Sequence, residues 1–346
     1  MKAIKLICLI FVAITCVNCS SHSTAPKRIG YDGDLYGNIE QITITEHSLT
    51  NKFGEIRIDS TLSMTVVTFD TKGNVHKVEE YEPFITVIEE GTWNGTPLPN
   101  QRLVSLGKYT YDNDLLNKYE QYDEYGDLTQ SILYSYDESD KLIEKTLYSS
   151  DSVLEYKIQY YYSGDLLTKV ESSFYDTEYS LNYGKLEKSQ RESYMETLYK
   201  YQYDKRNKLI HKDEIQYYKY NVKNDNCDTT VLSYEFDGKG NIILESRFDE
   251  SLVSPNTMCK NYYNEYSMPI ESIQLNDIGE IQLKYTFYYD KKNRLIEKYE
   301  YGSQDEFLCK WVCENDRIGN LVKSIKYEGV LQTPTLLVKV DIVYRK

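Results

Sequence analysis

The sequence predicts an all-β protein: an elongated, twisted or spiral antiparallel sheet of repeated β-hairpins, with no significant helix after an N-terminal leader. Three observations predict it. First, a short motif recurs in which an Asp stands five residues before an aliphatic residue: Asp70/Val75, Asp123/Leu128, Asp137/Leu142, Asp204/Leu209, Asp237/Ile242, Asp290/Leu295 and Asp316/Leu321. Second, rings alternate just before the motif, as in Tyr109/Tyr111, Tyr134/Tyr136, Tyr201/Tyr203, Tyr234/Phe236 and Phe287/Tyr289. Period two puts both rings on one face of a strand. Third, 36 of the 346 residues are Tyr, and they supply much of a 40% hydrophobic content. Without them the apolar share falls to roughly 30%, too little for an aliphatic core alone. Amphipathic rings have to fill it.

In chain order, the first segment is an address. Lys2 and Lys5 precede an apolar run from Leu6 to Val17 (LICLIFVAITCV). That run is too short for a spanning helix and suits a signal peptide. It ends in Cys16-Val17-Asn18-Cys19-Ser20-Ser21. A Cys directly after such a run, followed by a Ser-rich stretch, resembles a bacterial lipoprotein signal. The resemblance implies lipidation of Cys19, preferred over Cys16 because Ser20 to Pro26 reads as a tether. The residues before Cys19 depart from the strict pattern, with Asn18 and Cys16 where small and Leu-like residues are usual. The expected organisation is a signal peptide over 1–18, a flexible tether over 19–29 and a single repeat domain over 30–346. The expected place is the cell envelope, as an outer-membrane lipoprotein, with the lipid anchor as the contact with membrane.

Charge narrows the partners. The net charge is −14, and removing Lys2 and Lys5 with the leader makes it −16. A nucleic-acid binder needs a basic stripe, and none is present. Attachment to an anionic membrane by charge fails on the same ground.

The repeat unit has a readable physical logic. Asp opens the turn by accepting from nearby backbone N–H groups. Gly or Asn three or four residues later takes the left-handed conformation that closes it. An aliphatic residue begins the return strand, and Lys and Glu follow it, as in Ile143-Glu144-Lys145 and Ile296-Glu297-Lys298. Two copies are shortened (YDNDLLNK from Tyr111, YSGDLLTK from Tyr162), and one is degenerate (YNEYSMPIES from Tyr263). The stretch 82–107, with Pro97 and Pro99, reads as an irregular insertion. The charged segment Ser189 to Tyr201 reads as a strand, because its tyrosines favour one. Thr335 to Arg345 reads as a last strand. Some twenty strands are expected, and open sheets of that width curl.

The motif at Tyr203-Asp204…Leu209 and Tyr289-Asp290…Leu295 resembles the YD-repeat, or RHS-type, family. The opening from Leu35 to Asn74, with Lys52-Phe53-Gly54-Glu55 and Phe69-Asp70-Thr71-Lys72-Gly73-Asn74, resembles the start of bacterial lipoproteins built of such repeats. The likeness covers roughly residues 30–345 and implies hairpin arrays, not an activity.

Searches for chemistry find little. No GxSxG or phosphate-loop spacing occurs, and Gly238-Lys239-Gly240 is a turn. His76 and His211 follow turn aliphatics and read as surface strand residues. The groups Asp112-Asn113-Asp114 and Asp225-Asn226-Cys227-Asp228 lack the spacing of a calcium loop. No catalytic residue, cofactor or metal site is expected. The seven motif Asp residues have a structural role, and no acid stands out as a glycosidase candidate. Cys309 and Cys313 lie roughly 13 Å apart if extended, too far for a disulfide, whereas a Cys227–Cys259 bridge stays open as a cross-strand option. The expectation is a non-enzymatic binding or scaffold protein whose Tyr-rich face takes a protein or glycan partner. The alternatives are an envelope glycan-binding lipoprotein, which Trp93 and Trp311 would favour if clustered and exposed, and, less favoured, a glycan hydrolase.

Overall fold

The computed structural model describes residues 35–52, 54–83, 101–182, 185–219, 227–249 and 255–345. The leader, Cys19 and the tether lie outside them, as do Trp93 and most of the 82–107 stretch. Among the described residues there are twenty strands and no helix. In chain order they are β1 (Ile39–Lys52), β2 (Glu55–Phe69), β3 (Val75–Pro83), β4 (Gln101–Asp112), β5 (Leu115–Asp123), β6 (Leu128–Tyr136) and β7 (Leu142–Ser149). Next come β8 (Leu154–Ser163), β9 (Leu166–Asn182), β10 (Lys185–Tyr203), β11 (Leu209–Lys219), β12 (Cys227–Phe236), β13 (Ile242–Asp249) and β14 (Thr257–Tyr263). The last are β15 (Pro269–Asn276), β16 (Ile281–Tyr289), β17 (Leu295–Tyr301), β18 (Phe307–Asn315), β19 (Leu321–Glu328) and β20 (Thr333–Tyr344).

All belong to one sheet. Antiparallel pairing joins neighbours in sequence, from β4 to β16, from β18 to β20 and from β1 to β3. The last strand then pairs with the first, from Ile39↔Tyr344 to Ser48↔Leu336. This corrects the open, elongated spiral expected from sequence: the connectivity is that of a closed β-barrel. The reason is twist. Each strand turns about 20–25° from its neighbour, and closure satisfies the N–H and C=O groups that two open edges would expose.

A second correction concerns 82–107. Gln101–Gly107 is not irregular but forms the first half of β4, with Ser105 opposite Asp123 and Leu106 opposite Tyr122. This half-strand holds no proline, so each of its N–H groups can join a ladder. Ser189–Tyr201 lies inside β10.

The chain forms two compact units. One comprises the residues up to Leu103 with Phe287–Tyr299 and Leu308–Lys346. Its core packs Ile39 and Ile42 of β1, Val67 and Phe69 of β2, and Val340 of β20, flanked by Val75, Val78 and Ile342. The other comprises Val104–Thr286 with Glu300–Phe307. Its core is Tyr119, Ile132 and Leu147, one residue from each of three adjacent strands, flanked by Tyr109, Tyr134 and Tyr156. Both cores are small, as the composition requires.

Candidate functional site

The seven motif Asp residues all build turns. Asp137 is typical: its Oδ1 accepts from the N–H of Ser139 (2.8 Å) and of Lys141 (3.0 Å). The N–H of Asp140 donates to its carbonyl, and Asp140 takes a φ of 62°. Asp70, Asp123, Asp204, Asp237 and Asp290 accept from the same two positions, with Gly73, Gly126, Asn207, Gly240 and Asn293 at positive φ. Asp316 adds a third N–H, from Gly319. Asn264 and Asn276 do the same with an amide oxygen. These carboxylates are spent on backbone. That of Asp290 is held down at about 2 by the Arg294 guanidinium, helped by the N–H groups of Arg294 and Lys292.

The tyrosine of the motif has a role that the sequence does not announce. Tyr136 stands just before Asp137, and its hydroxyl donates to the carbonyl of Leu116 (2.9 Å), at the start of the previous return strand. Tyr162 does so to Leu142 (3.0 Å) and Tyr263 to Ile242 (3.0 Å). Asn315 substitutes with its amide, to Leu295 (2.9 Å). Cations link successive turns in the same sense: Lys141 to the carbonyl of Gly164, Lys208 to Gly238, Lys239 to Glu265 and Arg294 to Asp316. Hairpin is laced to hairpin at the turn.

One turn of the first unit is a clasp. Asn320 is completely buried. Its Oδ1 accepts from the N–H of Tyr36 (2.6 Å), and its Nδ2 donates to the carbonyl of Tyr36 (2.9 Å) and the hydroxyl of Tyr344 (2.7 Å). Tyr344 donates in turn to Asp316. Burial pushes the Asp316 carboxyl up, but Tyr344 and three backbone N–H groups outweigh it and the net direction is down. The equivalent Asn74 and Asn241 instead turn back onto Asp70 and Asp237.

Catalytic constellations fail on geometry. Ser233, His211 and Asp213 have triad composition. Yet Asp213 Oδ1 (2.9 Å) and Ser233 Oγ (3.3 Å) both approach the same nitrogen, Nε2. A relay needs Asp on one ring nitrogen and Ser on the other. His47 lies beside Thr61 (3.1 Å), with its pKa lowered by burial and by Lys339. No group of His, Cys, Asp and Glu suited to a metal ion occurs among the described residues. Asp112, Asn113 and Asp114 sit at a two-residue turn, with Asn113 and Asp114 at positive φ. Cys259 Sγ lies 3.3 Å from Ser272 Oγ, and the Cys227 side chain lies outside those described. Cys309 and Cys313 share β18 opposite Glu328 and Ser324 and do not join each other. Trp311 is half-buried with Lys326 over its ring at 5.9 Å.

What stands out is one face of the second unit. Cross-strand registers place Tyr109, Tyr119, Ile132, Leu147, Tyr156 and Phe174 in one row. A neighbouring row runs Tyr134, Lys145, Ile158 and Ser172. Further rows bring Tyr160 opposite Val170, Tyr199 opposite Glu214, and Tyr201 opposite Lys212 opposite Tyr234. Small buried residues, Ser172 and Thr197, share this face. Two lysines lie between rings. Lys212 is 5.1 Å from the Tyr199 ring and 5.3 Å from that of Tyr234, and it also meets Glu214 at 2.5 Å. Lys145 is 5.9 Å from Tyr134 and 5.6 Å from Tyr156. Such contacts stabilise by about 0.5–2 kcal/mol.

Burial raises the phenols of this face, that of Tyr156 to about 12 with help from Glu155 and that of Tyr160 to about 12 with help from Tyr156. Tyr134 and Tyr199 move further in the same direction. Burial and then Glu214 raise Glu245. The opposite face also carries ion pairs, including Lys118–Glu120, Lys157–Glu144 and Lys169–Glu171.

No family model matches the chain, and no curated protein matches it. Solved structures do show likeness. A porin-like protein from Bacteroides uniformis ATCC 8492 aligns over 88% of this chain and 96% of its own, at 9% identity and a TM-score of 0.35. The TcdB2-TccC3-Cdc42 structure aligns over 82% of this chain and 17% of its own, at 12% identity and a TM-score of 0.20. The TcdB2-TccC3-TEV structure aligns over 76% and 15%, at 13% identity and a TM-score of 0.21. At these scores the likeness carries no functional argument.

Proposed function

We propose that the chain is a lipid-anchored cell-envelope protein of YD-repeat type that binds or scaffolds through its tyrosine-rich face and catalyses no reaction. The observation that supports this is the face itself: phenol rings flank Lys145 and Lys212 on one face between β6 and β12, whereas the repeated carboxylates are consumed by turns. Tyr is enriched at binding surfaces because it offers a rigid apolar ring and a polar tip. An envelope glycan is the second reading, favoured by the same rings as stacking platforms.

Two experiments test the proposal. The chain from Ser20 onward, immobilised, is offered purified envelope glycans and envelope protein fractions, beside a Tyr134→Ser/Tyr199→Ser variant and a Tyr125→Ser control. Selective loss in the face variant is expected. Identical retention by all three overturns the binding face. For the anchor, wild type is expected to incorporate labelled fatty acid and fractionate with membranes. A Cys19→Ala chain that still does both shows that Cys19 is the wrong residue.

A further inference from the structure

The net charge of −14 argues against a membrane held by charge, yet the charge is unevenly placed. Three turns of the first unit, 70–74, 290–294 and 316–320, read DTKGN, DKKNR and DRIGN. Their acids are the motif residues Asp70, Asp290 and Asp316, each held by backbone N–H groups. Asp290 also pairs with Arg294, and Asp316 accepts from Tyr344. Every other charged residue of the three turns is basic: Lys72, Lys291, Lys292, Arg294 and Arg317. Lys291, Lys292 and Arg317 are exposed and make no ion pair with a described residue. Around them charge is balanced, with Glu40 against Arg345 and Glu314 paired with Lys323 at 2.6 Å. The turns at the other end of β1 and β20 differ: 52–55 reads KFGE and 328–332 reads EGVLQ, one base against two acids.

The basic turns meet at one end of the unit. Arg294 Nη1 donates to the carbonyl of Asp316 (3.0 Å), and Asn320 holds Tyr36. A Cβ added at Gly319 would meet Arg294 Cδ at 3.6 Å and the Tyr36 ring at 3.7 Å, and one at Gly37 would meet Ile318 Cδ1 at 3.8 Å. Arg345 donates to the carbonyls of Asn38 and of Phe69, the residue before the turn 70–74. Tyr36 is 42% exposed and Ile318 53%. An exposed ring and an exposed aliphatic side chain thus stand beside cations. Tyr suits the boundary of a bilayer, with an apolar ring and a polar tip. Each cation near an anionic leaflet strengthens binding about fivefold. At physiological ionic strength the Debye length is about 8 Å, so acids elsewhere on the chain are screened from such a surface.

The described chain begins at Leu35, so the segment that carries Cys19 joins the fold at this same end. From these placements we infer that this end of the first unit docks on the anionic headgroups of a membrane, through Lys72, Lys291, Lys292, Arg317, Tyr36 and Ile318. The inference rests on the reading of a lipid-anchored envelope protein and states which end of the unit faces the lipid.

The test uses the chain from Ser20 onward, which carries no acyl group, so that only the surface itself can bind. It is sedimented at physiological ionic strength with vesicles of phosphatidylcholine and phosphatidylglycerol in equal parts, and with phosphatidylcholine alone. Binding to the anionic vesicles only, released at high salt, is expected. Lys291→Glu/Lys292→Glu should weaken it about tenfold or more. Lys52→Glu/Arg57→Glu makes the same change of charge on the β1–β2 hairpin, away from these turns, and should weaken it less than about threefold. Ile318→Ser should weaken it a few-fold without altering the far-UV spectrum. Inorganic phosphate should displace no more protein than chloride at equal ionic strength. No binding to anionic vesicles, equal binding to phosphatidylcholine alone, equal loss in the two double variants, or selective displacement by phosphate overturns the docking surface. Because this chain lacks Cys19, the fatty-acid experiment above decides the anchor separately.

Discussion

Asp137 and Tyr136 divide the work of a turn between them. The Asp oxygen gathers two N–H groups of its own loop, and the Tyr hydroxyl reaches back to the hairpin before. A net hydrogen bond is worth about 0.5–1.5 kcal/mol. Asp137→Ala is therefore expected to cost about 1 kcal/mol in urea unfolding, because its N–H groups turn to water. Tyr136→Phe should cost a similar amount and leave the turn itself unchanged. Asn320 is a different case. Removing its side chain takes away three hydrogen bonds, two with Tyr36 and one with Tyr344, each worth about 0.5–1.5 kcal/mol. Asn320→Ala should cost about 3 kcal/mol or more, against about 1 kcal/mol for Asn241→Ala. Equal costs at the two positions would remove the special standing of the clasp. The sequence displays Asp70, Asp237 and Asp316 as equals, each followed by Asn four residues on. It cannot display that Asn320 faces the chain's beginning, because that depends on a contact 284 residues away.

The hairpin was legible because its causes are local. Period-two rings, an Asp, a residue fit for positive φ and an aliphatic restart all lie within about a dozen residues. The tyrosine face was legible only as a composition. Which rings share a surface depends on register, and register is set by bulges after the turns, as between Ser135 and Tyr136 and between Gln202 and Tyr203. The ring contacts of Lys145 and Lys212 likewise need neighbouring strands in place. The face makes an alkaline prediction. Its phenols have folded pKa values raised above the ordinary 10, with Tyr156 and Tyr160 at about 12. Their stabilisation is full below pH 10. Above that, unfolded tyrosines ionise while folded ones stay neutral, so stability falls as the pH climbs from 10 towards 12. The tyrosinate absorbance that wild type shows in excess of Tyr156→Phe/Tyr160→Phe should therefore appear together with loss of β signal in an alkaline titration. Substantial ionisation of the phenols before any loss of sheet would contradict this.

At the level of the molecule, closure of the sheet was the part the sequence withheld. No residue motif states that β20 meets β1; the pairing from Ile39↔Tyr344 to Ser48↔Leu336 is a sum over the twist of every strand between. Arg345 donates its N–H to the carbonyl of Asn38 (2.8 Å), so the two chain ends enter and leave side by side. A circular permutant joining Arg345 to Tyr36 by a short linker and opened within 84–100 is expected to keep the wild-type β spectrum and the wild-type sedimentation coefficient. Deleting 333–346 leaves β1 and β19 each with one open edge, and that chain should associate or precipitate in sedimentation. A soluble, monomeric truncation would mean the seam contributes little.

The seam also sets the order of events. A chain made from its N-terminus presents β1 first and β20 last, and hairpins from β4 to β16 can pair as they arrive. The β1 edge has to wait for almost the whole length of the chain. Through that interval Gln41 to Ser48 offers an unclaimed row of backbone donors and acceptors to any passing strand. The arrival of β20 is thus what ends the exposure of that β1 edge.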